Sequence, residues 1–274
     1  ADVRHYAADS AALLQVNVNG TGEMIALAQK AKIPLYHIST TSVAGNIPKE
    51  NRLYSPCLQE NQLDIGQDWH SNIYVRSKFL AEKAVLTAVE EGLEARVFRL
   101  GRLVGRSGDG VFQRDPERNA FWLTLRGIHA LGAIPASFAG TPTEMIPVDI
   151  CAKAAVSLSN SSLTVYHLQN PKPPTAAQAA AAICGELRIM EDRLFDNLLA
   201  NAPIDESGNI LAPLADLWLQ MQQGNTPLAV SSNLTMNELK RLGFDLQIPS
   251  PGIMLRGFRF DPSERLIFPG KEEQ

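Results

Sequence analysis

The chain has 274 residues, of which 45% are hydrophobic and 20% charged, and its formal net charge is −4. This length allows one large two-lobed domain or two small ones, and the composition is that of an ordinary globular protein. The scattered basic residues exclude a nucleic-acid-binding surface, and no apolar run is long enough to span a membrane. Three widely spaced cysteines indicate neither a disulfide framework nor a zinc site, so we expect no metal and a location in the reducing cytoplasm.

The first hundred residues alternate between strand and helix patterns. In chain order the predicted elements are a short strand (Val3 to Tyr6), a helix (10–33), a buried strand (34–39), a long polar loop (40–71), a helix (72–93) that Gly92 ends, and a strand (Ala95 to Leu100). Strands and helices that alternate in units of about thirty residues are typical of a parallel sheet with crossover helices. The long loop is itself a candidate functional segment.

The pattern changes after about residue 105. The predicted elements are then a helix (118–135), a short helix opened by Pro147 (147–159), a strand (163–171) and, over 175–274, several helices broken by proline and glycine. The second half of the chain is therefore predicted to be mostly helical.

The stretch "YVRSK" contains a tyrosine and a lysine four residues apart, Tyr74 and Lys78. A helix places both on one face. A tyrosine has an unperturbed pKa of ~10, and a nearby ammonium group lowers it toward the range useful for proton transfer. The alternative is an ordinary amphipathic helix with a surface tyrosine and a solvated lysine.

The stretch "HISTTSVAG" places Thr40 at the end of a predicted strand, and parallel sheets bind their ligands at that end. A hydroxyl there can donate to a substrate carbonyl oxygen on which negative charge develops. Ser39, Thr41 and Ser42 are alternatives for this role, and a hydroxyl that merely caps the strand end is another.

The order of three stretches, "HISTTSVAG", "YVRSK" and "RLGRLVG", resembles that of the motifs in the extended short-chain dehydrogenase/reductase family. The stretches "NVNGT" and "PVD" also resemble motifs of this family. The longer stretches "NVNGTGEMIALA", "YVRSKFLAEKAV", "RLGRLVGRSGDGVFQRD" and "VYHLQNP" are similar to the thioester reductase domains of nonribosomal peptide and polyketide synthetases. Carboxylic acid reductase and fatty acyl-CoA reductase domains resemble them too. The similarity covers most of the chain and is weakest between about residues 185 and 230.

The resemblance implies an α/β fold, a Rossmann-like doubly wound parallel sheet with a smaller, mostly helical C-terminal substrate lobe. The dinucleotide-binding core would span 1–106 and be completed by about 145–170, and the substrate-binding lobe would take 107–144 and 171–274. The implied activity is NADPH-dependent release of an acyl or peptidyl thioester, held on a phosphopantetheinyl carrier-protein domain, as an aldehyde or further as an alcohol.

The resemblance also implies roles for particular residues. Thr40, Tyr74 and Lys78 would be catalytic, and Thr40 is the hydroxyl that the family register favours. The residues expected to contact the cofactor are Tyr6, Ala7, Ala8, Ser39, Tyr74, Lys78, Leu100, Gly101 and Leu103. Plain packing is the alternative for Tyr6 to Ala8 and for Leu100 to Leu103. Asn17 and Asp149, in two further family stretches, are interpreted as helix-capping or dipole-pairing residues.

One departure from the family concerns the glycine-rich turn that normally binds the pyrophosphate after a first strand. No G-x-x-G-x-x-G occurs, and "GRLVGRSGDG" (Gly101 to Gly110) follows the wrong strand, so it is interpreted as a flexible loop. We therefore expect the N-terminal strands to be missing and the sequence to be a fragment. Two other functions stay open. One is a nucleotide-sugar epimerase or dehydratase, but Thr41 and Ser42 argue against it because dehydratases carry acidic residues at these positions. The other is a catalytically inactive scaffold.

Overall fold

The computed structural model describes residues 10–47, 56–202, 210–224 and 227–266. The predicted strand Val3 to Tyr6 and the predicted cofactor contacts Tyr6, Ala7 and Ala8 lie outside these residues. The chain divides into two compact units, each made of three stretches. Unit 1 comprises Ala1–Leu103, Asp149–Pro171 and Asn225–Gln247, and unit 2 comprises Val104–Val148, Lys172–Gly224 and Ile248–Gln274.

The helices and strands are numbered in chain order. The α-helices are α1 (Ser10–Leu14), α2 (Gly20–Ala31), α3 (Ile73–Glu90), α4 (Ala120–Leu131), α5 (Ala136–Ala139), α6 (Val148–Leu158), α7 (Ala176–Cys184), α8 (Asp192–Ala200), α9 (Ala212–Gln222), α10 (Asn233–Arg241) and α11 (Pro251–Met254). The strands are β1 (Leu35–Thr40), β2 (Cys57–Leu58), β3 (Ala95–Leu100), β4 (Leu103–Val104), β5 (Ala133–Pro135), β6 (Ile146–Pro147), β7 (Val165–Leu168), β8 (Arg188–Met190) and β9 (Ala229–Val230). Among the described residues, none of these helices combines the length and apolarity needed to cross a membrane.

Unit 1 is built on a parallel sheet with the strand order β1-β3-β7. Thr40 pairs with Leu100 and Leu100 with Leu168, so the three strands end in one row. The crossover from β1 to β3 contains α3, whose first turn is capped by the Asn72 side chain and whose end is followed by Gly92 at φ 103°. The predicted α/β architecture with a parallel sheet is confirmed.

The long segment after β1 is held to unit 1 by backbone and side-chain hydrogen bonds in its described part. The buried Gln67 amide donates to the carbonyl oxygens of Val43 at 3.3 Å and Leu63 at 2.7 Å. Gly45 has φ 59°, and a Cβ there would lie 2.2 Å from the Asp68 carbonyl oxygen, so only glycine fits. The predicted loop is therefore a closely packed segment here.

Residues 227–247 pack in unit 1, whereas the sequence boundaries assign them to the substrate lobe. The reason is β9, which pairs with β2 in parallel, together with α10, which packs beside β7. Strands of two residues carry no detectable sequence period, so this assignment could not be predicted. The division into a dinucleotide-binding part and a substrate-binding part stays a prediction.

Unit 2 has its own apolar core around α4, to which α9 and the parallel pair β5–β8 contribute. Its glycine-rich stretch is not a flexible loop. A Cβ on Gly105 or on Gly257 would lie 2.2 Å from the Gly110 carbonyl oxygen. Phe112 and Phe258 pack beside this junction with ring centroids 4.4 Å apart. The glycines therefore allow two backbone segments to touch.

Candidate active site

Thr40 ends β1 and begins a 3-10 helix, Thr41–Ala44. Its backbone is extended, and its half-buried side-chain oxygen accepts a hydrogen bond from the Ser42 amide at 3.1 Å. Thr41 donates to the Leu100 carbonyl oxygen at 3.4 Å, and Ser39 points into the protein. Thr40 therefore lies at the carboxyl end of the sheet, where a ligand would bind, and its side chain also caps the following turn.

Tyr74 lies in the first turn of α3, where the Thr40 side chain affects the pKa of its phenol, while the Thr40 hydroxyl donates to Ser42 Oγ at 3.2 Å. The tyrosine is only 8% exposed, so the alternative of a surface tyrosine is wrong. Burial raises the pKa of Tyr74 above 10, and the Thr40 side chain acts in the opposite direction. The expectation that Lys78 lowers this pKa is not met, because the effects on the phenol come from burial and from the Thr40 side chain.

Lys78 lies one turn further along α3 and is 4% exposed, so it is not a solvated lysine. Its ammonium donates to the Ile38 carbonyl oxygen at 2.6 Å. Burial lowers the pKa of Lys78, while the Glu82 carboxylate raises it. Nearby His37 is also buried, and burial, followed by the charge of Lys78, lowers its pKa to about 3. It is therefore a neutral core histidine.

The other predicted cofactor contacts that can be described lie at the ends of the same strands. Leu100 ends β3 beside Thr40, and the Gly101 amide donates to the Leu168 carbonyl oxygen at 2.8 Å. Leu100, Gly101 and Leu103 are each half-buried. Their contact with a cofactor stays a prediction, as does that of Ser39, whose hydroxyl donates to Glu82 at 2.6 Å.

Asn17 is not a helix cap, because it lies inside a π-helix, Gln15–Asn19, that joins α1 to α2. Its buried amide donates to the Ser77 hydroxyl at 2.9 Å, and Ser77 donates to the Tyr74 carbonyl oxygen at 2.8 Å. The wider π turn aims the asparagine at α3. Asp149 lies in the first turn of α6, where an acidic residue suits the helix dipole, as predicted.

A buried ionic cluster below the strand ends was not anticipated from the sequence. Arg99 and Glu82 are fully buried and joined by two contacts, Nε to Oε1 at 2.8 Å and Nη2 to Oε1 at 2.6 Å. Arg99 Nη1 lies 2.7 Å from Nε2 of His167. A detectable signal existed, because an arginine stands inside the apolar strand "ARVFRL" and a glutamate follows Lys78 by one helical turn.

The donor groups at the site fit a nicotinamide dinucleotide. An ammonium group carries three protons, and in the described part of the chain the Lys78 ammonium has one acceptor within hydrogen-bonding distance, the Ile38 carbonyl oxygen. Two protons can therefore be donated to ribose hydroxyls. Thr40 and Tyr74 add two hydroxyls at the carboxyl end of a parallel sheet, the edge at which such sheets bind ligands.

Residues 1–155 match the NAD-binding family whose description is "Male sterility protein". A linear gramicidin synthase component of Brevibacillus parabrevis is 28% identical over 248 residues, which cover 87% of this chain and 5% of that protein. Glycine betaine reductase ATRR of Emericella nidulans is 32% identical over 169 residues, which cover 60% of this chain and 12% of that protein.

Among solved structures, a thiolation-reductase di-domain from an archaeal non-ribosomal peptide synthetase superposes with a TM-score of 0.80 at 28% identity. The match covers 94% of this chain and 55% of that chain. The chain therefore spans a small part of the two curated relatives and about half of the solved structure. The resemblance to reductase domains of nonribosomal peptide synthetases, predicted from the motifs, is confirmed.

Proposed function

Since the chain belongs to the NAD-binding family described as Male sterility protein, we propose that it is an NADPH-dependent reductase that releases a carrier-bound acyl or peptidyl thioester as an aldehyde. Membership of the family makes the cofactor a nicotinamide dinucleotide. The choice of NADPH, the thioester substrate and the possible further reduction to an alcohol belong to the proposal.

One observation carries this proposal: Thr40 ends β1, and Tyr74 and Lys78 lie one helical turn apart at the start of α3, both buried. Thr40 and Tyr74 can both donate to one carbonyl oxygen placed between them. Preorganised donors stabilise a reaction most where negative charge develops, and removing one typically slows it ~10²- to 10³-fold.

The bound cofactor supplies the hydride that reduces the thioester carbonyl. Thr40 and Tyr74 then stabilise the oxygen that becomes negatively charged, and Tyr74 gives it a proton. The raised pKa of Tyr74 suits this role, because it keeps the phenol protonated at neutral pH. The positive charge of Lys78 then lies near the tyrosinate that Tyr74 becomes after it has given up its proton. Collapse of the thiohemiacetal releases the aldehyde and the thiol.

The proposed partner is a phosphopantetheinyl carrier domain that bears the thioester. The similar di-domain structure joins a thiolation domain to a reductase, and the similar linear gramicidin synthase component belongs to a synthase; both support this partner. The same similarities favour the reductase over an epimerase, a dehydratase or an inactive scaffold.

The test is NADPH consumption by the full-length protein in the presence of an acyl-pantetheine thioester. In the Tyr74→Phe variant we expect a loss of roughly 10²- to 10⁴-fold, the usual contribution of a general acid. The matched control is Tyr36→Phe, since Tyr36 is an exposed tyrosine on β1, and this variant should keep the wild-type rate. An absence of turnover despite NADPH binding would rule out the thioester substrate, and an absence of NADPH binding would favour the scaffold.

A further inference from the structure

Three buried side chains form a row across the sheet one residue before its carboxyl edge. Ser39 on β1 pairs in register with Arg99 on β3, and Arg99 pairs with His167 on β7. Side chains alternate between the two faces of a strand, so this row points away from the face to which Thr40 points. All three side chains are buried, and Arg99 and His167 are fully so.

Glu82 on α3 joins the row to the helix that carries the proposed catalytic residues. One carboxylate oxygen accepts from the Ser39 hydroxyl at 2.6 Å, and the other accepts from Arg99 Nε at 2.8 Å. Glu82 follows Lys78 by four residues and Tyr74 by eight, so the three lie along one side of α3. The helix is therefore tied to β1 twice just before Thr40: by Lys78 at Ile38 and by Glu82 at Ser39.

The hydrogen bonds of Arg99 and His167 fix the cluster in one arrangement. Arg99 also donates through Nη2 to the Gln62 carbonyl oxygen at 2.6 Å. Arginine can only donate, so Nε2 of His167 accepts from Arg99, and Nδ1 carries the proton that is donated to the Ser231 carbonyl oxygen. Thr235 accepts from the His167 amide at 2.8 Å.

Such a cluster adds little stability. Apolar residues of similar volume often stabilise a core as well as a buried ion pair or better, and the best-supported role of such pairs is to select one arrangement of neighbouring elements. Here the neighbouring elements are β1 and α3, which carry Thr40 and Tyr74. A displacement of about 1 Å at reacting groups can cost ~10²-fold in rate.

We propose that Glu82 and Arg99 are positioning residues that act through Ser39 to fix the end of β1, and with it Thr40, against the start of α3, which carries Tyr74. This inference rests on the proposed function for its effect on rate, but the geometry it specifies can be measured without turnover.

The experiment uses the full-length protein with ¹³C-labelled tyrosine and compares Ser39→Ala, Glu82→Gln and Thr40→Val. The ring-carbon Cζ resonance of Tyr74, assigned with Tyr74→Phe, reports the effect of the Thr40 side chain on the phenol. We expect Ser39→Ala and Glu82→Gln to move this resonance in the direction in which Thr40→Val moves it. The matched control is Glu238→Gln, which breaks a partly exposed ion pair of the same unit, Glu238 Oε1 to Arg241 Nη2 at 2.7 Å, and should leave the resonance in place.

Turnover provides the second readout. Ser39→Ala should lower kcat about tenfold and Glu82→Gln by ~10- to 10²-fold. Glu82→Gln leaves a buried arginine without its counter-charge and can unfold the protein, whereas Ser39→Ala keeps both charges. A wild-type resonance in Ser39→Ala overturns the inference whatever the turnover. An absence of turnover in the wild type, with the resonance shifted as expected, overturns only the proposed function.

Discussion

Replacing His167 with glutamine should make the stability of unit 1 less sensitive to acid. The imidazole is fully buried, accepts from Arg99 at 2.7 Å and donates to the Ser231 carbonyl oxygen. Burial, followed by the charge of Arg99, lowers the pKa of His167 from 6.5 to about 4, and the Ser231 carbonyl oxygen acts in the opposite direction. A glutamine amide can make both hydrogen bonds without binding a proton.

The sign and size of the effect follow from this depressed pKa. Between pH 6.5 and about 4, the unfolded chain binds a proton at His167 that the folded chain does not, so the free energy of unfolding falls as the pH falls. At ~1.4 kcal/mol for each unit of pKa difference, His167 accounts for a loss of about 2 kcal/mol between pH 7 and pH 5. Above pH 6.5, the full contribution of His167 to the free energy of unfolding is present.

The measurement is urea unfolding followed by circular dichroism at pH 7 and at pH 5. Groups other than His167 are common to the two proteins, so we expect the wild type to lose about 2 kcal/mol more than His167→Gln between these pH values. The control is His70→Gln, which changes an exposed histidine and should show the wild-type pH dependence. Equal losses of unfolding free energy in the wild type and in His167→Gln would refute the conclusion that the His167 imidazole is buried and neutral.

Two further substitutions test the glycine junction and the candidate active site. Gly105→Ala should lower the free energy of unfolding by about 1–3 kcal/mol, because its Cβ would lie 2.2 Å from the Gly110 carbonyl oxygen, whereas Gly108→Ala, with nothing within 4 Å, should have little effect. Urea unfolding measures both, and equal effects would contradict the close contact. Thr40→Val should slow thioester reduction by ~10²- to 10³-fold and raise the pKa of Tyr74, since the Thr40 hydroxyl, which lowers it, is lost. Steady-state kinetics and ultraviolet titration of the phenol check these effects, and an unchanged rate would exclude Thr40 as a donor.

The features predicted well from the sequence depend on long periodic patterns or on ordered motifs. The helix around "YVRSK" lies between an asparagine cap and a glycine, so its bounds could be predicted almost correctly from the sequence. The strands on either side of it each contain several apolar residues, and their parallel pairing follows from the crossover. The position of Thr40 beside Tyr74 follows from that topology, because the strand ends and the helix start meet at one edge.

The features missed depend on contacts between distant residues. The sequence around Asn17 has an ordinary helical pattern, so it does not reveal the π turn. The role of the asparagine is seen only from its contact with Ser77. The effect of Lys78 on the pKa of Tyr74 could not be judged from their spacing, because the burial of the phenol decides the direction. The ionic cluster of Glu82 and Arg99 left a signal in the sequence, an arginine inside a strand, but its pairing with Glu82 of α3 depends on a contact that the sequence does not show.

The interleaved division of the chain affects how the protein folds during synthesis. Each unit is made of three stretches, and the last stretch of unit 1, Asn225–Gln247, lies late in the chain. Domains generally fold as units while the chain is made, but here neither unit has all its parts until about nine-tenths of these residues have emerged from the ribosome. The row of strand ends at Thr40 is also not complete until β7 arrives, well over a hundred residues later. The nascent chain therefore exposes the edge of β3 until β7 has been made, and an unpaired strand edge of this kind is prone to aggregation.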